Sequence, residues 1–206
     1  MKPPHKFFER FLDNDLDGLY SFLLDRDQDI RHGKLPNIPL EKAADAAKTG
    51  CMATSLSLNY NIFQFHDESI YKLYEAIKSM TQEACEYYGI DFKSQKYMVQ
   101  GWFNCDENGD GNINDLHDHS PDSGAPYYHG YYCVNAEPSI TNYKVNRETM
   151  FDNINKNNRA ILSETGHPHR KGAWNSEKKR ITIAYDMMPL KDLAKTNVEQ
   201  HWVPLI

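Results

Sequence analysis

The spacing of apolar residues divides the chain into a helical N-terminal part and a β-rich remainder. Apolar residues recur at three- and four-residue steps between Glu68 and Tyr88, which predicts an amphipathic helix that ends before Gly89. A second helix is predicted nearer the N-terminus, with Asp13 or Asn14 as its N-cap. Its apolar face comprises Leu16, Leu19, Tyr20, Leu23 and Leu24.

The segments around these helices have weaker patterns. Residues 5–12 are apolar-rich and fit either a strand or the start of a helix. Residues 26–50 are polar and contain prolines, which predicts a long loop with one short helix. Partial alternation over residues 52–65 predicts one or two strands.

After Asp91 the apolar period changes from helical to two-residue, which indicates β-strands. Helices followed by several short strands with turn-rich links predict an α+β, mostly β protein, in which an antiparallel sandwich or barrel carries helices on one side. The predicted strands are rich in Tyr, Ile, Val and Thr, and they run from Lys96 to Cys105, Tyr127 to Asn135, Ser139 to Val145, Arg159 to Ser163 and Lys179 to Met187.

The length of 206 residues fits a single domain. We expect helical support and the first strands over residues 1–95, a β core with the functional site over 96–190, and a C-terminal tail over 191–206. The formal charge of −6, without a basic stripe, disfavours nucleic acid as a partner. No apolar run predicts a membrane span or a signal peptide, and the four cysteines contain no Cys-x-x-Cys pair, so a cytoplasmic location with free thiols is expected.

The strongest chemical signal is the pair His117 and His119. Alternate residues of a strand share one face, so these imidazoles would lie about 7 Å apart along the backbone and could both bind one transition-metal ion. A third ligand must then come from another part of the chain. The segment from Gly166 to His169 offers both His167 and His169.

A possible anion site lies on the last predicted strand. Arg180, Thr182 and Ala184 share one face there, and a guanidinium beside a hydroxyl with a small neighbour suits a bidentate hold on a carboxylate. An ordinary cross-strand ion pair is the alternative role for Arg180.

Residues 106–117 suggest a different kind of site. They match the first nine positions of a calcium-binding EF-hand loop, but the twelfth position is His117, where a bidentate glutamate is needed. The preceding residues 97–104 are typical of a strand and not of an entering helix. A tight turn between strands is therefore favoured over a calcium site.

Five segments, taken in order and spacing, carry a family resemblance. They are Gln100-Gly101-Trp102-Phe103-Asn104, His117-Asp118-His119, Gly130-Tyr131-Tyr132-Cys133-Val134-Asn135, His169, and Arg180-Ile181-Thr182-Ile183-Ala184-Tyr185. Together they resemble the Fe(II)- and 2-oxoglutarate-dependent oxygenases, most closely the small oxygenases common in phages and marine bacteria. The resemblance covers roughly residues 97–190.

The resemblance implies a double-stranded β-helix, or jelly-roll, that binds Fe(II) and 2-oxoglutarate. It implies a dioxygenase that uses O2 to hydroxylate a C–H bond of an unknown substrate, in the host cytoplasm if the protein is phage-encoded. His117 and His169 would be metal ligands, and Arg180, helped by Thr182, would bind the far carboxylate of 2-oxoglutarate. Further residues expected to line the cosubstrate pocket are Tyr131, Asn104 and Tyr143.

The sequence departs from the family at the carboxylate ligand, where it has His119. The metal site would then consist of three histidines, unless Asp118 turns inward through a bulge. Losing one negative charge could shift the metal preference towards zinc or nickel, and it supports an alternative function as a non-catalytic metal-binding or structural jelly-roll. His169 is preferred over His167 by its spacing to Arg180. The loops expected at 26–50 and 146–158 form the outer wall and contain no substrate motif.

Overall fold

The computed structural model describes residues 6–34, 60–108, 116–119, 128–145, 149–194 and 201–206. The described helices are α1 (Leu16–Arg31), α2 (Glu68–Tyr87), α3 (Phe92–Gln95) and α4 (Leu190–Leu193). The described strands are β1 (Phe8–Phe11), β2 (Tyr97–Asp106), β3 (Tyr128–Asn135), β4 (Ile140–Lys144), β5 (Met150–Ile154), β6 (Arg159–Glu164), β7 (His169–Lys171), β8 (Arg180–Pro189) and β9 (Val203–Pro204).

Both predicted N-terminal helices are present, and each begins at an aspartate cap. The Asp15 carboxylate accepts a hydrogen bond from the Gly18 N–H at the start of α1, and Asp67 accepts from Ser69 and Ile70 at the start of α2. The N-cap of α1 is thus Asp15, and the prediction of Asp13 or Asn14 was wrong. Helix α1 also extends to Arg31, so residues 26–31 are helical and not part of a loop.

The large sheet has the strand order β1-β6-β3-β8-β2-β9, and all its pairings are antiparallel. Strands β2 and β8 pair along their whole length, from Tyr97 opposite Pro189 to Asp106 opposite Arg180. The apolar sides of α1 and α2 pack against this sheet and form the main core with it. Burial of this apolar surface is the principal force that holds the helices in place.

A smaller antiparallel sheet has the order β5-β4-β7 and is extended by one bridge between His117 and His169. The two sheets form a double-stranded β-helix with helices at its N-terminal side, as the sequence predicted. The five predicted strands are all present within the described residues. Strands β5 and β7 were not predicted, because both are short and β5 is largely exposed.

The structure confirms some of the predictions for the segments around the helices and core strands and corrects others. Residues 8–11 form a strand that pairs with β6. Residues 62–64 form a 3₁₀ turn, so the prediction of a strand there was wrong, and 52–59 lie outside the described residues. The loop expected at 146–158 contains strand β5, and the C-terminal tail adds β9 to the large sheet.

Gly130 allows an unusually close approach of strands and side chains beside the site. A Cβ atom at this position would lie 2.1 Å from the Ile161 carbonyl oxygen and 2.4 Å from a ring carbon of Tyr185. Any larger residue would therefore have to displace either backbone or a fully buried aromatic ring. Position 130, next to His129 on strand β3, therefore favours glycine.

Candidate metal centre

Three of the predicted ligands meet at one end of the jelly-roll. His117, His119 and His169 each offer a ring nitrogen, and these three atoms lie within 4.8 Å of one another. The backbone sets this arrangement, because His117 and His169 exchange N–H···O hydrogen bonds of 3.1 and 2.8 Å across their bridge. His119 lies two residues further on, so its side chain faces the same side as that of His117.

The alternative ligands lie outside this group. Asp118 is exposed, and it is His119 whose ring nitrogen lies beside those of His117 and His169. His167 is also outside the group, but its carbonyl oxygen lies 3.3 Å from Nδ1 of His169. A hydrogen bond from Nδ1 to that carbonyl leaves Nε2 of His169 as the atom that can bind a metal.

Two further residues lie at the site that were not predicted from the sequence, His129 and Asp186. They are opposite one another in the pairing of β3 with β8, and the His129 Nδ1 lies 2.7 Å from one carboxylate oxygen of Asp186. The other oxygen of Asp186 lies 3.1 Å from Nδ1 of His119. A signal was available in the sequence, because Asp186 is the one acidic residue in an otherwise apolar stretch of a strand, and buried aspartates are rare unless paired.

His119, His129 and Asp186 also have ligand atoms close enough for a metal ion, but their contacts are those of a hydrogen-bonded group. The rings of His119 and His129 are 3.8 Å apart between centroids and inclined by only 21°, so they lie face to face. Both oxygens of Asp186 lie at hydrogen-bond distance from the two rings, 3.1 Å from Nδ1 of His119 and 2.7 Å from Nδ1 of His129. We therefore interpret the contacts of Asp186 as hydrogen bonds.

The histidines differ in their tendency to be protonated. Burial, reinforced by the neighbouring histidines, lowers the pKa of His129 to about 4 and holds the pKa of His169 far below its ordinary value. Burial also opposes protonation of His119, but the charge and hydrogen bond of Asp186 outweigh it and raise the pKa of His119. Although burial alone would favour the neutral acid, His119 and His129 hold the pKa of Asp186 well below its usual range. Asp186 is thus a carboxylate.

A second polar cluster surrounds Arg180 at the other end of β8. The Arg180 guanidinium donates from Nε to Ser139 Oγ at 3.0 Å and from Nη1 to Asp106 at 3.1 Å, and Thr182 Oγ1 lies 3.5 Å from Nη1. Asp106 is fully buried and also accepts a hydrogen bond from Lys171 Nζ at 2.5 Å. Arg180 therefore forms the cross-strand ion pair considered from the sequence, and Thr182 lies beside it.

Three other residues were expected to line the cosubstrate pocket. Tyr143 is buried with its ring centroid 5.2 Å from that of His169. The hydroxyl of Tyr131 donates to Asn155 at 2.7 Å, and Asn104 is opposite Thr182 in the pairing of β2 with β8. Tyr143 thus lies beside the histidine group, and Asn104 lies on the strand that pairs with the strand of Arg180.

The first residue of the calcium-binding loop considered from the sequence, Asp106, is engaged in other contacts. Asp106 is the last residue of strand β2, and its two carboxylate oxygens are taken by Lys171 and Arg180. The segment before it is a strand, as predicted, and residues 109–115 lie outside the described residues.

The donor set of the three histidines suits a transition metal. Two of the rings have one nitrogen held by a hydrogen bond to the protein, His119 to Asp186 and His169 to the His167 carbonyl, which leaves the other nitrogen of each ring available to a metal. Neutral imidazole is a good ligand for iron, zinc and nickel alike. The residues present therefore fit a divalent transition metal without selecting strongly among these ions.

Comparisons with known proteins identify the fold. No family model matches the sequence, and no curated protein matches it. Among solved structures, a prolyl-4-hydroxylase of Pseudomonas putida aligns with a TM-score of 0.56 at 10% identity, covering 90% of this chain and 93% of that one. HygX of Streptomyces hygroscopicus, solved with iron bound, aligns with a TM-score of 0.51 at 11% identity over 98% and 93%.

A third structure, the non-heme alpha-ketoglutarate-dependent epimerase SnoN from nogalamycin biosynthesis, aligns with a TM-score of 0.53 at 9% identity, covering 90% of this chain and 78% of that one. The chain therefore has the jelly-roll fold found in the 2-oxoglutarate- and Fe(II)-dependent oxygenases. At these identities the likeness establishes the shared fold. Among the described residues, no helix is long and apolar enough to cross a membrane.

Proposed function

We propose that this protein is an Fe(II)- and 2-oxoglutarate-dependent dioxygenase that hydroxylates a C–H bond of a substrate yet to be found. The observation that carries the proposal is the convergence of His117, His119 and His169 within 4.8 Å at one end of a jelly-roll of this fold. The fold of the oxygenases and an imidazole cluster at the bridge that extends the smaller sheet support the same function. The proposal includes a place among the small oxygenases of the kind common in phages and marine bacteria, and a cytoplasmic location.

In this proposal His117, His119 and His169 hold the iron. When bound, iron supplies the redox chemistry that couples oxidative decarboxylation of 2-oxoglutarate by O2 to oxidation of the substrate. Three protein ligands would leave positions on the metal for the cosubstrate and oxygen. Burial of His169, together with Trp102 and Tyr143 beside the cluster, keeps bulk water from one side of the site.

Arg180 holds the far carboxylate of 2-oxoglutarate in this proposal. Its Nε and Nη1 are engaged with Ser139 and Asp106, and within the described residues Nη2 makes no hydrogen bond. Nη2 can therefore bind the anion, while the hydrogen bonds of Nε and Nη1 fix the orientation of the guanidinium. Thr182, with Asn104, Tyr131 and Tyr143, supplies the polar wall between Arg180 and the metal.

The first experiment measures succinate release from 2-oxoglutarate with Fe(II) and ascorbate, for the wild type, His169→Ala and the matched control His167→Ala. We expect slow turnover without substrate in the wild type and in the control, and none in His169→Ala, because His167 lies outside the ligand group. Full activity of His169→Ala would contradict the assignment of the metal site.

The second candidate function is a non-catalytic jelly-roll that binds a metal. The specific observation in its favour is that His119 occupies the position of the carboxylate ligand, so the first coordination shell lacks a negative charge. Anaerobic addition of 2-oxoglutarate to the Fe(II)-loaded protein separates the two functions. A visible charge-transfer band would support the oxygenase, whereas tightly bound zinc with no such band would support the metal-binding protein.

A further inference from the structure

We propose that Asp186, with His129, replaces from outside the coordination shell the carboxylate that the metal site lacks. Asp186 would orient His119 and supply the missing negative charge, which makes it a positioning residue and not a ligand. The inference rests on the proposed function only in requiring a metal at the three histidines. It concerns residues that the family resemblance did not indicate.

The hydrogen bonds define which nitrogen of His119 faces the metal. The two oxygens of Asp186 lie 3.1 Å from Nδ1 of His119 and 2.7 Å from Nδ1 of His129. Since a carboxylate can only accept, both Nδ1 atoms must carry hydrogen. His119 is thereby held in the tautomer whose Nε2 lone pair is available to the ion.

Stacking fixes the plane of the His119 ring. His129 lies against one face at 3.8 Å between centroids, and Trp102 is nearly parallel at 5.7 Å with an interplanar angle of 15°. His129 is itself held by Asp186 and by burial in strand β3. A ring anchored at Nδ1 and packed by two aromatic groups has little freedom to turn its Nε2 away from His117 and His169.

The net charge of the site favours the same role for Asp186. A triad of two histidines and one carboxylate around Fe(II) has a net charge of one positive unit, and three histidines would raise it to two. The buried Asp186 carboxylate returns the total to one positive unit, although its oxygens bond to imidazoles and not to the metal. In metal sites of this kind, removal of such an outer carboxylate weakens metal binding by about 10- to 100-fold.

The substitution Asp186→Asn tests this arrangement with almost no change of shape. An amide has one oxygen to accept a hydrogen bond, and its NH2 group would face a second Nδ1–H. One of the two histidines must then change tautomer or turn, and the negative charge is lost. Asp118→Asn is the matched control, because it removes the same charge one residue from His119 but at an exposed position outside the ligand group.

The experiment measures Fe(II) affinity under anaerobic conditions and Zn(II) affinity by competition, for wild type, Asp186→Asn, Asp118→Asn and His169→Ala. We expect Asp186→Asn to weaken binding of both ions by about 10- to 100-fold, Asp118→Asn to leave it unchanged, and His169→Ala to abolish it. An effect of Asp186→Asn no larger than that of Asp118→Asn would overturn the inference while leaving the metal site intact. Wild-type protein that binds neither ion would overturn the proposed function as well.

A second measurement needs no substitution at Asp186 and therefore holds even if the variant fails to fold. Nitrogen–hydrogen correlation spectra of the Zn(II)-loaded wild type, with isotope-labelled histidine, report the tautomer of each ring. We expect hydrogen on Nδ1 of both His119 and His129, and zinc on Nε2 of His119. Zinc bound through Nδ1 of His119, or an Nδ1 of His129 without hydrogen, would overturn the inference.

Discussion

Substitution of Asp106 by Asn probes the buried ion cluster at the Arg180 end of the site. The Asp106 side chain is fully buried and lies 2.5 Å from Lys171 Nζ and 3.1 Å from Arg180 Nη1, whose own side chains are 15% and 4% exposed. Removing this charge takes away the carboxylate that, among the described residues, pairs with both cations. Breaking a buried pair by removal of one partner costs about 3–5 kcal/mol, so we expect the free energy of unfolding to fall by that amount.

For a chain of this size, such a loss lowers the melting temperature by roughly 6 to 20 °C. The same substitution changes the formal charge of the cluster from one positive unit to two, so it should strengthen the binding of a dicarboxylate at Arg180. Saturating 2-oxoglutarate, at about 100 times its dissociation constant, should then restore about 2.7 kcal/mol of stability. Asp106→Asn thus combines a weaker fold with tighter cosubstrate binding.

The assay is urea unfolding followed by circular dichroism, with and without 2-oxoglutarate, beside isothermal titration of the cosubstrate. Asp152→Asn is the control, because Asp152 is exposed on strand β5 and should change the free energy of unfolding by no more than about 0.5 kcal/mol. An unchanged unfolding midpoint for Asp106→Asn would refute the burial and pairing of this carboxylate. Weaker binding of 2-oxoglutarate would instead show that the orientation Asp106 gives to Arg180 outweighs the added positive charge.

Three further predictions concern the cosubstrate, the fold and acid stability. Arg180→Ala should mainly raise the KM for 2-oxoglutarate, because one arm of the guanidinium is assigned to the anion, and an unchanged KM in the succinate assay would count against that role. Gly130→Ala should lower the free energy of unfolding by about 1–3 kcal/mol, since its Cβ would meet Ile161 O at 2.1 Å, and an unchanged urea midpoint would contradict the close packing. In metal-free protein, stability should fall as the pH drops from 6.5 to 4, because the unfolded chain binds a proton at His129 that the folded state, with its pKa near 4, excludes. The loss from His129 is about 3 kcal/mol, offset in part by His119, whose pKa is raised, and urea midpoints that increase on acidification would contradict it.

Local periodicity determined a large part of this structure. Helices α1 and α2 follow from apolar residues at helical spacing, and β2, β3, β4, β6 and β8 follow from alternation and β-branched or aromatic residues. His117 and His119 share one face, and so do Arg180 and Thr182. These relations are equally local, since alternate residues of a strand point to one side. These features depend on neighbours within a few residues, which is why the sequence alone was sufficient.

The tertiary structure decided which distant groups meet. His129 and Asp186 are 57 residues apart, and Asp106 and Lys171 are 65 apart, so their contacts depend on strand register and on the packing of the two sheets. The same register brought His169, and not His167, to His117, and left Asp118 exposed beside the cluster. A single strand has the same pattern of alternation whichever partner it pairs with, so its sequence specifies a face but not what that face will contact. The sequence marks Asp186 as unusual in its strand, but only the folded chain shows that it contacts His119 and His129.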